Sequence, residues 1–175
     1  MFGTRFYYLH PLLAGPIDTW TNHLDRIAAM SFDTVIIAPP FMPGGSGDLF
    51  LTPDHNRLDP RLGMGEAIAA LARLADEARD RQLRLFLDIV ADQVAAESGL
   101  CDGASGWYRI DTDDEPPDPR WPQRPRGVAE LCIDTDPSGF VEWWAERLIG
   151  WADAGVAGFR CIRPHRGVTR PTAPA

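Results

Sequence analysis

The sequence predicts an α/β protein built on a parallel sheet, with its elements in the order βαβαβαβ. Three observations carry this. Four short apolar runs read as buried strands, amphipathic stripes at helical spacing lie between them, and prolines or glycines mark the junctions. Each helix can bury its stripe only against the sheet, so successive strands run the same way.

The first strand is residues 6 to 9 (FYYL) and the second 34 to 38 (TVIIA), both aromatic or β-branched and running into Pro11 and Pro39 respectively. Between them Trp20, Leu24, Ile27 and Ala28 recur at i, i+4, i+7 and i+8, one stripe of a helix over 18 to 30. Asp18 is placed to cap its start. Ile68, Leu71, Ala75 and Ala78 repeat the pattern over 65 to 81, with Arg73 and Asp76 opposite. The third strand follows at 84 to 90 (RLFLDIV). A third helix, 136 to 154, opens with Asp-Pro-Ser, aligns Phe140, Trp144, Leu148, Trp151 and Ala152, and stops at Gly155. The fourth strand is 156 to 162 (VAGFRCI). Long loops, 39 to 64 and 91 to 135, leave the second and third strands, the end of a parallel sheet where function usually sits.

Composition narrows the function. Apolar residues make up 45% of the 175 and charged residues 24%, ordinary for a globular chain. Seventeen basic against 25 acidic residues give a formal charge of −8, which repels a phosphate backbone or an anionic membrane; nucleic acid and membrane are not expected partners. The N-terminal stretch fits neither a signal peptide nor a membrane span, so a cytoplasmic location is expected. Cys101, Cys132 and Cys161 are odd in number and widely spaced, against a disulfide framework, and four scattered histidines give no metal-ligand spacing. No metal and no cofactor is expected. The glycines at 44 to 47 lack a following Gly-Lys-Ser/Thr, and the charge run over 111 to 126 and the arginines at 160, 163, 166 and 170 read as solvated.

Residues 47 to 63 (GDLFLTPDHNRLDPRLG) resemble the second-strand loop of the α-amylase family of glycoside hydrolases through Thr52, Asp54, Asp59, Pro60 and Gly63. The family's sugar-lining Tyr-Asp pair falls on Phe50 and Leu51. LRLFLDIVADQ (83 to 93) is similar to the family's third strand: Asp88 is kept, while Asp92 and Gln93 stand where the family has Asn and His. The subgroup that builds α-glucan from maltose 1-phosphate also lacks that His. It shares the aromatic pair Trp107-Tyr108, the stretch LCIDTDPSG (131 to 139) and, at the fourth strand, Phe159, Arg160, Pro164 and His165. Ile162 stands at the position of the family's nucleophilic Asp.

This resemblance implies a truncated TIM-type (β/α) barrel, with residues 1–165 its strands one to four and 166–175 an irregular Pro/Arg tail; a complete barrel takes roughly 250 residues. It implies an α-glucan or a maltosyl donor as ligand, with Asp88, Gln93, Arg160 and His165 as the substrate-binding candidates. Retaining glycoside chemistry needs a carboxylate nucleophile and a second carboxylic acid about 5 Å away. Ile162 cannot attack, and the family's acid lies on strand five. The chain is therefore expected to be an inactive fragment or remnant of an α-glucan hydrolase or maltosyltransferase; a non-catalytic glucan-binding or subunit-pairing module is the alternative. Asp88 is the expected partner of Arg160, as a structural ion pair or as a surviving sugar contact. His55 and His165 read as loop residues, and Trp107 and Trp121 as the two tryptophans open to sugar stacking. Four strands leave two open sheet edges, which favour self-association.

Overall fold

A computed structural model of the chain describes residues 3–101, 106–110, 127–133 and 136–163. Strand β1 (Phe6–Leu9) leads through the short helix α1 (Pro11–Ala14) and a 3-10 turn (Ile17–Thr19) to α2 (Thr21–Ala29) and β2 (Thr34–Ile37). Two antiparallel strands, β3 (Phe41–Met42) and β4 (Asp54–Leu58), precede α3 (Ala67–Asp80) and β5 (Arg84–Val90). Then come β6 (Gln93–Ala95), β7 (Tyr108–Ile110), β8 (Val128–Leu131), α4 (Pro137–Asp153) and β9 (Gly158–Ile162).

The principal sheet is β1-β2-β5-β9, all parallel and in chain order. These are the four strands read from sequence, and α2, α3 and α4 are the three helices. Successive side chains alternate between the sheet's two faces. Leu9, Val35, Ile37, Leu85 and Leu87 lie on the outer face and form one buried cluster with Trp20, Leu24, Leu71, Leu74, Trp144 and Trp151 from the helices. Burying such side chains is worth about 1.5–3 kcal/mol each, which is why the helical stripes fix the fold.

Several local expectations are corrected. Asp18 does not cap α2; it sits inside the 3-10 turn, and Trp20 at the N-cap makes no capping bond, its indole N–H donating instead to the Gly15 carbonyl at 2.8 Å. Ile68 is exposed, because the buried stripe of α3 is Ala67, Ala70, Leu71, Leu74, Ala75 and Ala78. Both long loops contain strands: β3 and β4 in the first, and the antiparallel sheet β6-β8-β7 in the second, around Val94, Trp107, Tyr108 and Ala129. Asp136 does cap α4, accepting the Gly139 N–H at 2.9 Å. The stop is steric as well as conformational: Gly155 has φ +100°, and a Cβ there would lie 2.9 Å from that of Ala75.

Candidate functional site

The site lies where the C-terminal ends of β5 and β9 meet the loops that leave β2 and β5. Asp88 and Arg160 face each other in register on adjacent strands. The carboxylate is fully buried and accepts two bonds from the guanidinium, Nε to Oδ1 at 2.6 Å and Nη2 to Oδ2 at 2.7 Å. This fork geometry is the strongest form of an arginine–carboxylate contact. The bond to Asp88 raises the Arg160 pKa above its ordinary value. The Arg160 side chain is 46% exposed, with its guanidinium 4.7 Å from the centre of the Tyr8 ring. The expected pairing of Arg160 with Asp88 is therefore present.

Ile162 is the last residue of β9, half-buried, on the same face as Arg160 and opposite Val90. It offers no nucleophile. The carboxylate that approaches this tip is Asp92, held by Arg163 with Nε 3.3 Å from Oδ2. Arg163 takes a left-handed conformation at φ 52°, which a non-glycine residue adopts at a cost.

Gln93 points back to the other loop: its Nε2 donates to the Phe50 carbonyl at 3.4 Å. Leu51, at the position of the family's sugar-lining Asp, is buried at 1% exposure, so that part of the loop contributes to the core rather than to a polar subsite. The loop is held by buried Asp59, which accepts the Arg61 backbone N–H at 2.8 Å and its Nη2 at 2.6 Å; the same Nη2 donates to the Gly47 carbonyl. His165 and Trp121 fall outside the described residues.

Two aromatic expectations are overturned. His55 is not a loop residue; it lies on β4, buried among Phe41, Trp143, Trp144 and Trp151 with ring centroids 5.3 to 6.3 Å away. Burial, and then the Arg147 charge, push its pKa down to about 4. Trp107 is no sugar platform. It is buried edge-on against Phe140 and Trp143, with Nε1 donating to Asp136 at 3.4 Å. The sequence signal for both was available in the aromatic density of α4, whose Phe140, Trp143, Trp144 and Trp151 need partners.

The cavity behind Asp88, lined also by Thr52, His55 and Trp144, has a volume of about 10 Å³, room for about one water. A bound sugar would have to lie on the open side of the sheet. Among the described residues no group of three His, Cys, Asp or Glu side chains could hold a metal ion, and no helix is long and apolar enough to cross a membrane.

Four parallel strands in chain order, with helices packed on one face, are the architecture of a (β/α)-barrel segment, and solved structures have the same fold. A noncanonic maltogenic α-amylase, AmyB from Thermotoga neapolitana, superposes with a TM-score of 0.71 at 18% identity, over 90% of this chain and 38% of that one. The trehalulose synthase MutB from Pseudomonas mesoacidophila MX-45 gives 0.75 at 17% identity, over 96% of this chain and 36% of its own. In sequence the chain is related to the α-1,4-glucan:maltose-1-phosphate maltosyltransferase of Burkholderia pseudomallei, 33% identical over 169 residues. That alignment takes in 94% of this chain but spans only 15% of the enzyme's length. No protein-family model matches the chain.

Proposed function

We propose that this chain is an α-glucan-processing domain of the α-amylase family that neither cleaves nor transfers a sugar by itself. In this reading residues 1–165 form the first four strands of a catalytic barrel, 166–175 are a tail, and Asp88, Gln93, Arg160 and His165 are what remains of a surface for an α-glucan or a maltosyl donor. The observation that carries it is Ile162, an aliphatic side chain at the tip of β9 beside the Asp88–Arg160 fork. Without an attacking carboxylate the covalent route is closed, and losing a nucleophile of this kind costs on the order of 10⁶ in rate. Donor specificity is read from the 33% identity to the maltosyltransferase, and the two open sheet edges support association with a further barrel half.

The test is to incubate the purified chain with glycogen and maltose 1-phosphate and follow phosphate release and chain elongation. Neither should appear, while affinity electrophoresis in a glycogen gel should show retardation that Arg160→Leu weakens. Maltosyl transfer or starch hydrolysis by the unaltered chain would sink the inactive reading; migration unaffected by glycogen would sink the binding surface.

A further inference from the structure

Residues 44 to 47 (GGSG) follow β3 in the loop that leaves β2. Three glycines in four positions give this stretch much backbone entropy to lose on ordering, so contacts from outside it must hold it in place. A turn closes it internally: the Gly47 N–H donates to the Gly44 carbonyl at 2.8 Å, with Gly47 in the left-handed region at φ +72°. Gly45 and Ser46 at the tip are exposed.

Tip and base of this loop are held in different ways. At the base Leu49 and Leu51 are buried, and buried Ser98 donates its hydroxyl to the Pro53 carbonyl at 3.2 Å. At the tip the Glu97 carboxylate accepts the Gly45 N–H, Arg61 Nη2 donates to the Gly47 carbonyl at 2.9 Å, and the Gly44 N–H donates to the Leu51 carbonyl at 2.9 Å. Glu97 and Arg61 are both exposed, so water competes for their bonds to the tip. The docked position is also a close fit. Gly44 lies against buried Ala95 of β6, where a Cβ would come 2.6 Å from that of Ala95 and 2.7 Å from the Glu97 carboxylate. Gly44 is not in the left-handed region, so it is this docking, rather than backbone conformation, that requires a glycine there.

From this we infer that residues 44 to 48 form a flap on a fixed base, with Glu97 as its latch. An exposed bond of this kind shifts an equilibrium by roughly tenfold, so the closed flap dominates while the open one stays populated. The loop stands at the strand ends that carry the Asp88–Arg160 fork, and the two positions of the flap change how open that end of the sheet is. The latch needs no ligand. It does not rest on the glucan contact proposed above, and either can fail without the other.

Amide hydrogen exchange followed residue by residue tests it. Glu97→Ala should speed exchange at Gly45 and Gly44 together by about tenfold, while Gly47, bonded inside the turn, and Leu58 of β4, bonded to the Gly65 carbonyl, keep their rates. Glu97→Gln, which retains an oxygen acceptor, should restore most of the protection. Gly44→Ala should speed Gly45 as well, although the Glu97 carboxylate is intact, because the added methyl props the flap off β6. Acceleration at Gly45 alone in Glu97→Ala would reduce the latch to one frayed bond. Unchanged exchange at Gly45 in either alanine variant, or an acceleration that spreads equally to Leu58, would overturn the flap.

Discussion

The two faces of one sheet have opposite fates. On the outer face Leu9, Val35, Ile37, Leu85 and Leu87 are sealed by three helices, and on the inner face Phe6, Tyr8 and Arg160 stand half in solvent. The same backbone ladder carries both. What separates them is whether the covering element lies within the chain: helices that follow each strand fold back on the outer face, whereas the inner face of a barrel is covered only by the opposite strands. The outer face therefore holds the molecule together, and the inner face carries the Asp88–Arg160 fork.

Substitution across the sheet should expose this difference most sharply. Leu87→Ala on the outer face should lower unfolding free energy by about 2–5 kcal/mol in urea, because the cavity cannot refill. Tyr8→Ala on the inner face should cost less than about 1.5 kcal/mol, since part of its ring is already wet. Equal losses would show that the two faces are not distinct in energy.

A second test uses His55, which belongs to the outer core. Its folded pKa of about 4 lies below an unfolded value of about 6.5, so between these the unfolded chain binds the extra proton and stability rises with pH. Full passage through that window is worth about 3 kcal/mol at 1.4 kcal/mol per pH unit. His55→Phe should flatten this part of the stability profile, and an unchanged slope in urea melts from pH 4 to pH 7 would assign the proton elsewhere.

The strand-end fork supplies a further contrast within the inner face. Arg160→Leu leaves the buried Asp88 carboxylate without its partner, but the guanidinium is 46% exposed and water can enter, so the loss should be about 1–2 kcal/mol. Adding Asp88→Asn should recover part of it, and a double variant no more stable than Arg160→Leu would show that the pair is not coupled.

What the sequence displayed follows the same division. Strands at 6, 34 and 84 and the three helices were legible because each buries a repeating stripe, and a period of 3.6 or a run of β-branched residues survives without knowledge of the fold. The strand-end fork was legible too, since Asp88 and Arg160 sit at the same height on neighbouring strands. The two small antiparallel sheets were not. β3 is two residues long with a register shift against β4, and β6, β7 and β8 are three or four residues each, too short for alternation to rise above loop composition. Trp107 and His55 were misread for one reason. Each lies in a stretch whose sequence is polar, and each is buried by α4 from elsewhere in the chain, so nothing local marks its environment.

The inward turn of Leu51 has a consequence for any attempt to rebuild a sugar-gripping loop. A carboxylate placed at that one position would be shut away from solvent before any ligand could meet it. The loop would have to be re-threaded, with a new apolar plug supplied from another residue, before the acid could face outward. A polar subsite at this point is therefore closed to single substitutions and open only to coordinated ones.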